Sequence, residues 1–455
     1  MSKSDRLKRL QRLKGLGVKK GIDHIKIPSP KPLPTEIESE TERIPLHFLN
    51  YEEDLQNPVP IETVIGGQII QNEHGQYFNF EARYPLDAAY GHQPLRTMLN
   101  IPMQAIATIT GDEAWLNLTW EKVLFIDTET TGLEIAAGTV AFLIGVGYLD
   151  GNDFVVRQVF MRDFDEETAL LYDLYTLCEK FEAIASFNGK TFDVPLLENR
   201  FIMARLFPDL FEGPHLDLLH PARRLWRRRL ENCKLSTLET DILGLNRTQA
   251  DVPGYFIPTL YRKYLVDHDA RVLAGIFYHN ELDIVSMSAL AAILGQTIAY
   301  PAYPIPTDPI DLISLGLWQI NLDQPVPAEQ ALKQAIEQNL DTEWQQLAHT
   351  QLAYLLKRQN RLIEAETLWQ QLATLPDNLL ALEELAKYYE WHQKAFAKAL
   401  TCIDYALKTI QTQPHNWEQQ DTLAKWEHRR QRVAQKAEKN NRLVRKQEID
   451  LPKKG

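Results

Sequence analysis

The chain has 455 residues, a net charge of −12 and 44% hydrophobic side chains, which excludes global disorder and provides for about three domains. Its longest nearly unbroken apolar stretch, Ile135 to Leu149, is too short for a spanning helix and holds Gly138, Thr139, Gly145 and Gly147, and no apolar run follows the basic amino end. Neither a membrane span nor a secretory signal is expected. Three scattered cysteines, Cys178, Cys233 and Cys402, make no zinc spacing and no disulfide framework, so a reducing, cytoplasmic setting is expected.

Residues 1–45 read as a disordered arm. Residues 1–20 carry a net +7, and IPSPKPLPTEIESETERIP has little to bury. Residues 46–120 read as an extension that packs on the following domain, with a hairpin turning at Asn72–Gly75. Residues 121–300 alternate apolar runs with helical patterns. KVLFIDTET is a buried strand, and TVAFLIGVGYL and DFVVRQVFM are two more, joined by a turn at Asp150-Gly151-Asn152. EETALLYDLYTLCEKF has helical periodicity, AIASFN is a short strand, DVPLLENRFIMARLF is a helix and HLDLL is another strand. A three-strand meander followed by helix–strand–helix–strand predicts an α/β mixed sheet with flanking helices, in a ribonuclease-H-like layout. Residues 309–423 are helical and repetitive. Leu352-Ala353, Ala365 and Trp369 recur as Leu385-Ala386, Ala399 and Ile403 at offsets of 33 or 34, and Ala331 lies 34 before Ala365. That is the period of tetratricopeptide (TPR) helix pairs, an ordinary helical bundle being the plainer alternative. Residues 424–455 carry another +7 and read as a basic helical or disordered tail, leaving −26 between the two ends. Such ends are either solvated or in contact with phosphates.

The informative residues are acidic. Asp127-Thr128-Glu129 closes the first strand, where alternation points both carboxylates the same way. Paired carboxylates repel, and a divalent cation removes that penalty. Oxygen-only donors suit Mg²⁺ or Mn²⁺ rather than zinc. A third acid, Asp193, stands where FNGKTFD passes from strand to helix. A fourth, Asp283, lies in YHNELD, where a helix sets His279 on the same face and turns Tyr278 roughly 140° away. Taken singly, Asp193 would be a helix cap and Asp283 a solvated acid.

In that order the three segments resemble the Exo I, Exo II and Exo III motifs of the DEDD (DnaQ-like) 3′–5′ exonuclease superfamily. Asp251-Val252-Pro253-Gly254, Pro258 and His279-Asn280-x-x-Asp283 resemble more closely the YprB-type ribonuclease-H-like proteins, often followed by TPR repeats. The resemblance spans roughly residues 45–296. It implies a two-metal phosphodiesterase in which Asp127, Glu129, Asp193 and Asp283 hold two Mg²⁺ or Mn²⁺ ions and an Exo III side chain serves as base. The two standard versions place His five or Tyr four residues before the last Asp. This chain has Tyr278 at the first position and His279 at the second, and His279 is the better base by face and by ordinary pKa.

Further candidates each have a plainer alternative. Thr130, Thr131, Gly132 and Leu133 could line a terminal nucleotide or simply make a turn. Asn188 could orient substrate or be a turn residue beside Gly189, and Asp217 reads first as a cap. Arg227 and Arg228, within Arg223–Arg229 and beside Trp226, could grip a backbone and stack a base, or form a solvated face. The expected partner is a DNA or RNA strand, single-stranded at its 3′ end, with a protein partner on the repeats. The alternative is an inactive scaffold that binds nucleic acid or protein.

Overall fold

The computed structural model describes residues 57–132, 138–247, 251–299, 308–412 and 417–449, all within one compact unit. The arm 1–45, Leu133 and the end of the tail from 450 lie outside the described residues. Nine strands appear among them: β1 (Gln68–Asn72), β2 (Gly75–Pro85), β3 (Ala89–Tyr90), β4 (Gln93–Pro94), β5 (Val123–Thr130), β6 (Ala141–Asp150), β7 (Asp153–Phe160), β8 (Ala183–Ser186) and β9 (His215–Asp217). Seven of them form one sheet in the order β1-β2-β7-β6-β5-β8-β9, and β3 pairs with β4 alone. β5 to β7 and the β1–β2 hairpin are antiparallel, whereas β8 and β9 run parallel to β5. This is the mixed sheet that the element order predicts.

Both expected hairpins form, with Asn72 opposite Gly75 and Asp150 opposite Asp153. Gly151 takes the left-handed φ of 61° that the second turn requires. Two differences from the sequence reading have physical reasons. The extension does more than pack on the domain, because β2 pairs with β7 along eight residues and satisfies what would be a bare sheet edge. HLDLL contributes only three residues of strand, since Leu219 already opens a helix.

Helices cover the sheet: α1 (Met103–Thr110), α2 (Glu167–Cys178), α3 (Asp193–Met203), α4 (Leu219–Trp226), α5 (Ile257–Asp267) and α6 (Ala274–Ile298). The segment Ala270–Ile298 is long and apolar enough to cross a membrane by composition alone, but 72% of its most apolar window is buried in the protein, as in a core helix. α6 lies across β5, β6 and β7. Its closeness depends on two glycines one pleat apart. A Cβ on Gly145 would stand 2.1 Å from the Asn280 amide oxygen, and one on Gly147 would stand 2.4 Å from Ile284. Asn280 and Ile284 are four apart on α6, so successive turns drop into successive notches.

Helices α7 (Pro309–Asn321), α8 (Pro325–Ile336), α9 (Thr342–Arg358), α10 (Leu362–Ala373), α11 (Leu379–Trp391), α12 (Phe396–Gln411) and α13 (Trp417–Ile449) follow, each packed on the next. The recurring Ala331, Ala365 and Ala399 are buried on α8, α10 and α12, and Ala353 and Ala386 are buried on α9 and α11. α13 starts seven residues before the charge change at 424 and runs through it, since no Gly or Pro interrupts residues 417–449. α7 also packs on α4, where Arg229 grips Asp311 with bonds of 2.8–3.0 Å.

Gly145→Ala is expected to lower unfolding free energy by about 1–3 kcal/mol, because overpacking must push α6 off the sheet. Gly138→Ala, where a Cβ meets nothing within 4 Å, is expected to stay within about 0.5 kcal/mol of the parent. Urea denaturation of both variants checks the pair.

Candidate active site

The site forms at the carboxyl end of β5. Asp127 and Glu129 lie on the α6 side of the strand, half-buried, with Thr128 turned to the other side. Asp127 faces Gly145 in register, and Gly145 faces Gln158. Asn280 sits above this row. Its Nδ2 donates to Asp127 Oδ2 at 2.8 Å, and its Oδ1 accepts from Gln158 Nε2 at 2.8 Å. Gln158 Nε2 also donates to the Phe277 carbonyl at 2.9 Å, which fixes the orientation of both amides.

Asp193 is the first residue of α3 and is 6% exposed. The Thr128 hydroxyl reaches it from β5, donating to Oδ1 at 2.5 Å. Asp283 comes from α6, and as the helical spacing predicts, His279 shares its face, with Nε2 3.7 Å from Asp283 Oδ2. The other ring nitrogen, Nδ1, lies 2.7 Å from Asp251 Oδ1.

These acids act on one another. Burial holds the Asp127 carboxyl well above the usual range, and the charges of Asp283 and Asp193 push it further, against Asn280 and Arg247. Glu129 is raised by burial and then by Asp127, Asp283 and Asp193. Burial pushes Asp193 up to about 6, opposed by the Thr128 hydroxyl and by main-chain amides of residues 193 and 128. For His279, burial disfavours the charged ring, but the bond to Asp251 and the charge of Asp283 outweigh it and raise its pKa. Among the described residues, no three His, Cys, Asp or Glu side chains are close enough to hold a cation as they stand. In kind, the donor set fits a hard divalent cation: the four mutually repelling acids contribute only oxygen.

Arg247 is the residue that sequence reasoning missed. Its Nε and Nη2 fork onto Glu239 at 2.6 and 2.7 Å, and Nη2 also donates to Asp283 Oδ1. Its Nη1 reaches His279 Nδ1 at 3.1 Å. Burial opposes this cation, yet Glu239 and Asp283 hold it firmly protonated. Glu239 is 2% exposed and accepts from Ser286, whose hydroxyl lies 2.9 Å from that of Tyr90. No spacing in the sequence signals a pair 36 residues apart. Gln158 gives a fainter signal, as a polar side chain within an apolar strand.

Several secondary candidates show their plainer geometry. Thr130 donates to the Gly132 carbonyl at 2.6 Å, and the Thr131 hydroxyl accepts from the Val140 amide at 3.1 Å, so both side chains tie the turn. Asn188 adopts a left-handed φ of 66° and binds Thr191 through its side chain. Asp217 accepts from the amides of Asn188, Lys190 and Leu219, which makes it a cap. The stacking half of the arginine reading is corrected: Trp226 is wholly buried, because the apolar stripe of α4 turns it into the core. Arg224 lies over the Trp318 ring and Arg229 binds Asp311, both on α7. Arg227 remains exposed and Arg228 half-buried. Tyr278 is half-buried, and Glu281 is turned away to accept from Tyr84.

Without divalent cations, Asp193→Asn is expected to stabilise the chain by about 1–3 kcal/mol at pH 7.5, because the native carboxyl is harder to ionise than the unfolded one. The advantage is expected to shrink as pH falls from about 6 towards 4, where both native and unfolded wild-type carboxyls become protonated. Denaturation midpoints across that range in EDTA check the sign.

A family model described as the RNase_H superfamily matches residues 124–295. The uncharacterized protein YprB of Bacillus subtilis (strain 168) is 31% identical over 334 residues, which cover 72% of this chain and 79% of YprB. A solved family B DNA polymerase from the hyperthermophilic archaeon Pyrobaculum calidifontis aligns with 50% of this chain and 29% of its own length, at 16% identity and a TM-score of 0.32. The superfamily match begins in β5 and ends in α6, the two elements that bring Asp127 and Asp283 together, and the identity to YprB extends well past them; the chain belongs to the YprB-type RNase H-like family.

Proposed function

We propose that this protein is a two-metal-ion phosphodiesterase that hydrolyses nucleic acid from the 3′ end. The observation that carries this reading is the charge effect of Asp193 and Asp283 on Asp127, and of all three on Glu129, from acids 156 positions apart at the extremes. Asp127, Glu129, Asp193 and Asp283 would hold two Mg²⁺ or Mn²⁺ ions, which when bound supply an acidified water and charge stabilisation for both the entering and leaving oxygens. Asp251 orients His279 through Nδ1, leaving Nε2 on the side of Asp283 as the atom that takes the proton of the attacking water. The turn of Thr130, Thr131 and Gly132 would offer main-chain groups to the terminal nucleotide, and Asn188, on the loop that leads into Asp193, would orient substrate. Arg227 and Arg228 serve as ionic contacts to the phosphate backbone rather than as part of a stacking site. The helical tail is read as a TPR-like array that presents a surface to a protein partner.

Single strands of DNA and of RNA, labelled at either end, test the reading. Loss of 3′-terminal nucleotides is expected with Mg²⁺ or Mn²⁺ and not with EDTA. Asp127→Ala is expected to abolish turnover, and His279→Ala to reduce kcat by about 10²–10⁴-fold with substrate binding retained. Failure of folded wild-type protein on both polymers with both metals would leave the inactive scaffold as the better account.

A further inference from the structure

Asp127, Asp193 and Asp283 share one feature: a side-chain donor from elsewhere in the protein sits on the carboxylate. Asp127 Oδ2 accepts from Asn280 Nδ2 at 2.8 Å. Asp193 Oδ1 accepts from the Thr128 hydroxyl at 2.5 Å. Asp283 Oδ1 accepts from Arg247 Nη2. In each case a protein donor engages one oxygen of the pair.

None of the three donors is a loose surface group. Asn280 is fully buried, and its amide is oriented by Gln158, itself fixed on the Phe277 carbonyl. Thr128 is 8% exposed on a central strand. Arg247 is anchored by a two-point fork on the buried Glu239. The donors come from β5, from α6 and from the segment before Asp251, so no single element accounts for the pattern.

Resting on the metal-dependent reading above, we infer that Asn280, Thr128 and Arg247 are positioning residues that confine Asp127, Asp193 and Asp283 to one coordinating oxygen each. They thereby set cation choice. Ca²⁺ takes six to eight oxygens and uses bidentate carboxylates readily, whereas Mg²⁺ takes six in a tight octahedron and keeps waters. A set of single-oxygen acids therefore favours Mg²⁺ or Mn²⁺ and handicaps Ca²⁺. Removing a donor releases the second oxygen and relaxes that preference.

The test is direct cation binding to the full chain without nucleic acid, by calorimetry for Ca²⁺ and by the free Mn²⁺ paramagnetic resonance signal. Wild type is expected to bind Mn²⁺ more tightly than Ca²⁺. Asn280→Ala is expected to narrow the ratio of the two dissociation constants by about tenfold, the scale on which partners of metal ligands act. Thr128→Val, which keeps the side-chain shape, is expected to move the ratio the same way by a smaller amount, since main-chain amides still hold Asp193. Thermal melts establish that each variant is folded, and Thr128→Val decides the matter should Asn280→Ala unfold. A wild type that binds Mn²⁺ and variants whose ratio stays within about twofold of it would overturn this assignment alone. A wild type that binds neither cation would overturn the metal-dependent function and this inference together.

Discussion

Like charges held close in a partly dry pocket raise one another's energy, and the domain around β5 is organised to tolerate that strain. Asp127, Glu129, Asp193 and Asp283 come from a strand and two helices, and each of the first three is harder to ionise than a free carboxylate. The chain answers with neutral donors from Asn280 and Thr128 and with one cation, Arg247. The same repulsion that costs folding energy makes the pocket receptive to positive charge. The side chains that bear on stability here are therefore the same ones on which the proposed cation binding would depend.

Placement of these groups depends on the sheet. Gly145 and Gly147 let α6 come close enough for Asn280 to touch Asp127, and the helical repeat then carries His279 and Asp283 to the neighbouring position on each turn. β2, by pairing with β7, covers the flank of the strand that supplies Gln158. A bond chain thus runs from the Phe277 carbonyl through Gln158 and Asn280 to Asp127.

Much of this is legible in the sequence alone. The apolar runs gave β5 to β8, both hairpins and α3, because buried strands and tight turns leave strong local signals. The i, i+4 rule gave the nearness of His279 to Asp283. The donors were harder to read. Arg247 meets Asp283 across 36 positions, and Asn280 meets Asp127 across 153, so only tertiary contact reveals either. Trp226 misled because a charge run does not say which face of its helix is buried, and α4 sends the tryptophan inward. The basic tail from 424, read as helical or disordered, continues the helix that begins at Trp417, because net charge changes there while helical propensity does not.

The junction between α4 and α7 gives the tail a mechanical meaning. α4 begins two residues after Asp217, whose carboxylate fastens the loop that leads into Asp193, and beyond its far end Arg229 is clamped to Asp311 on the first helix of the tail. Eight residues of rigid rod therefore link the two fastenings. The tail and the rim beside Asp193 are therefore joined through one short helix fastened near both ends, so the two cannot shift independently without breaking one fastening.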